Sequence, residues 1–430
     1  MSEKIIRDPV HDVIAFRIER PAEALLFRLI NAAEFQRLRR IRQLGMASLA
    51  YPGADHSRYS HSLGVMETAR KILDQLGRSF YIDEQTRTTC LCAALLHDLG
   101  HGPFSHVFER VSGVHHEQLT QRVILDQDSE VHRTLAEHDR ELPRMVVNLM
   151  TCTPRRTYVC DLLSSQLDAD RLDYLVRDNL MTGSRYGDYD LRWLLHAMTI
   201  DERSDRLAVT WKGISAVEAY LQSRYHMYRN VYFHKVVRSA EGMVKLALQR
   251  AKRLAVQGRL EWPLRDNTVY KALLGQRLDM RQFADFDDVS VLHCFKIWSD
   301  SGDKVLAGLC RGLLFRRLYK TIDLTRLADE SRLHQLIAAA EERVTKAGGE
   351  AGYALFYDEP ADTPYETYHA GDTAAPIGIP VVEPIGTVID FAAVSPLSAA
   401  LNRQLMFRRL HVDEAWANAV RELSLHSLDR

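Results

Sequence analysis

TCLCAALLHDLGHGPFSH, residues 89–106, decides how the rest of this 430-residue chain is read. Thr89 to Leu99 is apolar nearly all round, which predicts a helix buried on every side rather than one lying on a surface. Gly100, Gly102 and Pro103 end it. His97 and Asp98 therefore sit inside the molecule at the glycine-rich end of a central helix. Neighbouring helical residues diverge by ~100°, so both reach one ion only if it lies beside the helix end. Each alone has a plainer reading, a core histidine satisfied by a hydrogen bond or an acid capping a helix terminus. A metal site needs two further ligands. His61 stands 36 residues upstream at the start of another predicted helix, and Asp170 lies 72 residues beyond Asp98 in DADRLDYLVRD. Two imidazoles and two carboxylates make a mixed donor set suited to Mn, Fe, Mg or Zn with open water positions, unlike a closed structural zinc site.

Histidine is concentrated around this segment. Seven of the 18 histidines (His56, His61, His97, His101, His106, His115 and His116) fall between residues 56 and 116, where an even spread would place two or three. Such a cluster beside acids points to a metal or phosphate site.

Outward from the centre, helical periodicity continues over Ala22–Ile41, over Leu63–Leu76 up to Gly77, and over 116–126, 129–139, 158–180, 213–229 and 234–256. The texture changes after Leu324. One amphipathic helix near 329–346 is followed by β-branched, Pro- and Gly-containing stretches at 353–357 and 376–394 and by a last helix over Asp413–Leu425. The expected architecture is mainly α, a helical body over 1–324 and a small α+β appendage over 325–430, with Pro360–Thr373 as a polar loop. The run Arg37, Arg39, Arg40, Arg42 reads as solvated helix charge.

Composition excludes several classes. Apolar residues make up 46% and charged residues 26%, which rules out bulk disorder. Lys and Arg total 56 against 57 Asp and Glu, a net charge of −1 that argues against nucleic acid as a partner. The apolar run Cys90–Leu96 falls far short of the ~18 residues a membrane span needs. Met1-Ser2-Glu3-Lys4 opens no secretory signal, and six cysteines without a CxxC read as reduced, buried thiols. A cytoplasmic protein is expected.

His61, HDLGHGPFSH at 97–106 and DADRLDYLVRD at 168–178 resemble the H…HD…D signature of the HD-domain phosphohydrolases. RLRRIRQLGMASLAYPGADHSRYSHSLGV at 37–65 and YRNVYFHK at 228–235 narrow the resemblance to the deoxynucleoside triphosphate triphosphohydrolases, in the branch of the sterile-alpha-motif-and-HD-domain enzymes. It runs from about Lys4 to Lys320 and implies a compact prokaryotic-type member without the sterile-alpha-motif domain. The fold it implies is an HD helical core. The implied ligands of a divalent metal (Mn, Mg, Fe, Co or Zn) are His61, His97, Asp98 and Asp170. The implied reaction cleaves a dNTP at the α-phosphorus to a deoxynucleoside and inorganic triphosphate.

By the same resemblance His106 supplies a proton to the leaving 5′-oxygen, with Glu109 at i+3 orienting it, while His101 and His116 line the phosphates. Arg58, Arg224 and Arg171 (where relatives use Lys) meet the triphosphate, and Tyr174 packs near sugar and α-phosphate. Gln43 and Asp178 hold the 3′-hydroxyl. Leu44 and Tyr232 crowd the 2′ position and favour deoxyribose. Gln36, Arg39, Lys212, Lys235, Arg316 and Lys320 match a nucleotide effector site, although Asn31 and Arg7 replace the Asp and Asn with which relatives read guanine. Relatives assemble as tetramers, so a homo-oligomer is expected. The competing readings are an HD phosphohydrolase acting on a ribonucleotide, signalling nucleotide or monophosphate, and a non-catalytic nucleotide sensor or single-strand nucleic-acid binder.

Overall fold

The computed structural model describes residues 3–153, 157–260, 268–365 and 378–428; the side chains of His106 and of 424–428 also lie outside that description. Three helices, Arg58–Leu76, Glu84–Leu96 and Ala169–Thr182, form the centre. The middle one starts where the Asp83 side chain accepts from the Thr86 amide at 2.8 Å, and every residue from Thr88 to Leu96 is buried. It ends at Leu96 rather than Leu99, so that His97 caps it and Asp98 stands in the turn beyond. Gly100 is required there. A Cβ would lie 1.9 Å from the His116 carbonyl oxygen and 2.5 Å from the Thr120 amide nitrogen. The missing side chain lets the His116–Leu125 helix cross the turn and bring His116 to it.

Two predicted helices are broken. Ala22–Ile41 divides into Pro21–Asn31, an extended Ala32 at ψ 142°, the short helix Ala33–Gln36 and a 3-10 turn over Arg37–Arg40. The arginine run is not uniformly solvated. Arg37 is 0% exposed and donates to the carbonyls of Leu99, His101 and Phe286, tying the turn after the central helix to the body. The 158–180 stretch divides into Tyr158–Asp161 and Ala169–Thr182. Asp168 caps the second through the Arg171 amide at 2.7 Å, and Gly183 closes it at φ +69°.

Helical periodicity predicts no strands in the body, yet the described residues include two antiparallel pairs there. Glu3–Asp8 and Asp12–Arg17 form an N-terminal hairpin, and Met198–Asp201 pairs with Arg206–Thr210. The C-terminal region does two things. Leu355–Asp358 and Arg409–Val412 form a three-stranded sheet with Lys320–Asp323, covered by the helices Glu330–Lys346 and Glu414–Leu428 over a separate apolar cluster. Pro380–Val382 instead adds in parallel to Arg206–Thr210, followed by Val388–Asp390, and Ile379, Val381, Phe391 and Leu401 pack into the main core. Of the expected loop over 360–373, Ala361–Asp362 pairs with Leu405–Met406, and residues 366–373 lie outside the described residues. Five of the six cysteines are buried, the sixth partly so. Among the described residues no helix is long and apolar enough to cross a membrane.

Candidate active site

His61 enters on the first turns of Arg58–Leu76, His97 and Asp98 at the end of Glu84–Leu96, and Asp170 on the first turn of Ala169–Thr182. His61, His97 and Asp170 each offer a donor atom within 4.8 Å of the others. His61 Nε2 lies 2.9 Å from Asp170 Oδ1, and His97 Nε2 lies 3.6 Å from the same oxygen. His97 Nδ1 faces the Ala94 carbonyl oxygen at 2.9 Å, whereas its buried Nε2 makes no aligned hydrogen bond among the described residues and meets only the carboxylates of Asp98 and Asp170 at ion-pair distance. Such an atom is costly unless something ligates it. Asp98 borders the cluster, 3.3 Å from His97 Nε2 and 3.8 Å from His61 Nε2, while its Oδ2 accepts from Arg58 at 2.5 Å. Asp170 is the open side, its side chain 37% exposed.

The charge pattern asks for a cation. Burial opposes a charge on His61, but Asp170 and Asp173 outweigh it and push its pKa up to about 10. Burial likewise opposes charge on His97, and Asp98 with Asp170 raises it nonetheless. Asp98 is held well below the usual carboxylate range against the cost of burial, chiefly by Arg58, and Asp170 is lowered by both histidines. A divalent ion in place of those protons satisfies the two imidazoles and the carboxylate together. His101, one turn away, goes the other way: burial and Arg58 hold it well below the normal histidine value, and it stacks on His116 at 3.9 Å.

Glu109 accepts from His115 Nδ1 at 2.8 Å and faces His116 Nδ1 at 3.0 Å, so the acidic partner expected for His106 also serves two histidines further on. His106 opens the same helix, His106–Ser112. Ser105 receives both Arg58 Nε and Nη2, at 3.1 and 2.8 Å.

From the metal cluster a wall of aromatic and polar groups leads away. The Tyr174 ring lies 6.4 Å from His61 and 6.2 Å from Tyr232, whose hydroxyl donates to Asp178 at 2.9 Å. The other Asp178 oxygen meets His56 Nε2 at 2.7 Å, and the His56 carbonyl accepts from the Gln43 amide at 3.0 Å. Buried Gln43 Oε1 has no partner among the described residues, and Leu44 is half-buried next to it. Tyr232 ends a π-helical turn, Tyr228–Tyr232, that interrupts the α-helical run. Arg171 donates to the Ser165 carbonyl and Arg224 to Asp362 at 3.1 Å, both within electrostatic reach of Tyr174.

The effector candidates divide. Lys235, Arg316 and Lys320 share a cavity of about 420 Å³ with Arg317 and Arg421, and Lys320 pairs with Glu414 at 3.0 Å. Gln36 and Arg39 bond each other at 2.8 Å, the Arg39 guanidinium lying over Tyr59, and Lys212 lines a different cavity of about 370 Å³. Asn31 bonds the Phe27 carbonyl of its own helix, and Arg7 is exposed on the hairpin.

Several residues of the site were missed. Asp173, three residues after Asp170 in DADRLDYLVRD, shares its helical face and could have been found by that spacing. His56, five residues before His61, lay in the histidine cluster without a role. His11, Asp8 and Asp362 carried no local signal.

Residues 58–178 match the HD domain and residues 189–261 the HD-associated region. YwfO of Bacillus subtilis is 37% identical over 404 residues, 93% of this chain and 89% of YwfO. A deoxynucleoside triphosphate triphosphohydrolase SAMHD1 homolog from Dictyostelium discoideum is 32% identical over 61% of this chain and 52% of its own length. The crystal structure of a phosphohydrolase from Bacteroides thetaiotaomicron has a TM-score of 0.80 at 28% identity, over 96% of this chain and 100% of that one. The chain belongs to the HD-domain phosphohydrolases. Within them it falls in the branch that contains the deoxynucleoside triphosphate triphosphohydrolases.

Proposed function

We propose that the chain is a metal-dependent dNTP triphosphohydrolase that releases a deoxynucleoside and inorganic triphosphate. The observation that carries this reading is the continuous line from His61 through Tyr174, Tyr232, Asp178 and His56 to Gln43, which joins a metal-competent cluster to a pocket wall suited to a sugar. His61, His97 and Asp170, with Asp98 beside them, would hold the divalent ion, which when bound acidifies a water and polarises a phosphoryl oxygen.

The chain's own residues supply the rest. Arg58, Arg171 and Arg224 place positive charge around the triphosphate. Glu109 orients a histidine that protonates the leaving 5′-oxygen, a role the motif gives to His106. Asp178 accepts from the 3′-hydroxyl, and the Gln43 carboxamide holds the oxygen of that hydroxyl by donating through its NH2. Tyr232, anchored on Asp178, and Leu44 leave no seat for a 2′-hydroxyl. The basic cavity of Lys235, Arg316 and Lys320 suits the phosphates of an effector nucleotide, and a homo-oligomer is the expected assembly. In this reading residues 1–324 are the catalytic body, and 325–430 contribute Asp362 to it.

The test incubates purified protein with each dNTP and NTP, singly and mixed, in Mg, Mn or Co, and identifies products. Inorganic triphosphate from dNTPs is the expected result. Pyrophosphate or orthophosphate as the first product, or equal turnover of NTPs, would overturn it. Turnover only in mixtures would establish activation by a second nucleotide.

A further inference from the structure

We infer that Asp173 is a positioning residue for the metal centre, and that the N-terminal hairpin, through His11, holds Asp173 in place. The inference rests on the metal-site reading above and extends it to residues that touch neither substrate nor ion.

The hydrogen-bond directions are fixed by chemistry. Lys71 Nζ can only donate, and it lies 3.0 Å from His11 Nδ1, so that nitrogen accepts. The His11 proton is then on Nε2, which donates to Asp173 Oδ1 at 3.0 Å. Asp173 Oδ2 lies 2.9 Å from His61 Nδ1 and accepts a hydrogen bond from its N–H. Nε2 of His61, the nitrogen that faces Asp170, is left as the ligating one. A carboxylate behind a ligating histidine sets its tautomer and its ring orientation.

Asp173 itself is immobilised. Arg177 grips both of its oxygens, at 2.8 and 2.9 Å, and reaches Asp8 at 2.8 and 3.2 Å. Asp8 also accepts from the amides of Val10 and His11, each at 2.9 Å, which shapes the hairpin turn that presents His11. Asp173 and Arg177 are 0% exposed, Asp8 7% and His11 8%. The space is reserved by Gly64: a Cβ there would stand 1.9 Å from Asp173 Oδ1 and 2.2 Å from Arg177 Nη2. The first strands of the chain are therefore part of the metal centre.

The test titrates Mn²⁺ into metal-free full-length protein and records the visible spectrum of the Co²⁺ form, with circular dichroism of each metal-free variant to confirm folding. His97→Ala should lose the ion. Asp173→Asn should weaken Mn²⁺ binding about ten- to a hundredfold and shift the Co²⁺ bands. His11→Leu should weaken it less, and His11→Gln, which retains an N–H at the position of Nε2, should restore most of the loss. A folded Asp173→Asn with wild-type affinity and spectrum overturns the inference. If that variant does not fold, equal affinities for wild type, His11→Leu and His11→Gln overturn it instead. Wild-type protein that binds no Mn²⁺, or His97→Ala that binds it normally, overturns the metal-site reading and the inference with it.

Discussion

His61 and His411 are both withdrawn from solvent, at 1% and 0% exposure, and they titrate in opposite directions. His411 lies in the C-terminal three-stranded sheet, stacked on Phe356 at 4.7 Å and bonded to Thr321 at 3.1 Å. Burial lowers its pKa to about 4, and the carboxylate of Asp358, 3.9 Å away, is already engaged by Arg238. His61 suffers the same burial, but Asp170 and Asp173 lie against its two ring nitrogens and lift it to about 10. Burial alone makes a neutral core histidine. Carboxylates converging on the ring from a neighbouring helix turn a buried histidine into a place for a cation.

The largest effect expected from this contrast is the loss of the ion. His97→Ala or Asp170→Ala should bring bound metal, measured by elemental analysis, and turnover to background, while His411→Phe should leave both unchanged. Retained metal in either of the first two would erase the distinction between the two regions. Next comes Glu109→Gln, which should keep the metal and reduce turnover by about 10²–10⁴, the range for assisted proton transfer. Loss of metal from that variant would place Glu109 in the ion's own cluster.

The His411 side can be tested by acid. The unfolded histidine takes a proton near pH 6.5 and the folded one only near 4, so the unfolded chain binds more protons between them. Stability is complete above pH 6.5 and declines as the pH falls towards 4, by up to about 3 kcal/mol from this group. Urea unfolding of wild type and His411→Phe at pH 7 and 4.5 should show the variant losing less; equal losses would show that His411 is not neutral. The smallest effect is expected at the far end of the site. Tyr232→Ala should narrow the dNTP/NTP ratio of kcat/KM by about tenfold, the scale of one lost contact in a pocket, and an unchanged ratio would remove Tyr232 from sugar selection.

Much of the candidate site is legible in the sequence because its candidate ligands lie in short motifs. HDLGH and DADRLDYLVRD carry three of the four metal candidates with their helix ends, and local spacing predicts local geometry. Asp98 shows the boundary of that logic. Its place in the motif suggests a ligand, but the structure also gives it to Arg58, 40 residues away. The strands were illegible for a related reason. Glu3–Arg17 and Met198–Thr210 are short, mixed in pattern and stabilised by what packs on them. The break at Ala32 is met by Glu130, which accepts from the Ala33 amide at 2.8 Å from 97 residues away, and Arg37 likewise finds its carbonyl partners at Leu99, His101 and Phe286 in distant segments.

The parallel pairing of Pro380–Val382 on Arg206–Thr210 has a consequence for synthesis. Val209 and Val381 are roughly 170 residues apart, so this contact closes the longest loop of any strand pairing among the described residues. Until the ribosome has released the chain past Val381, the edge of Arg206–Thr210 stays open to intruding strands. A nascent or truncated chain that stops short of that strand is the form most exposed to aggregation.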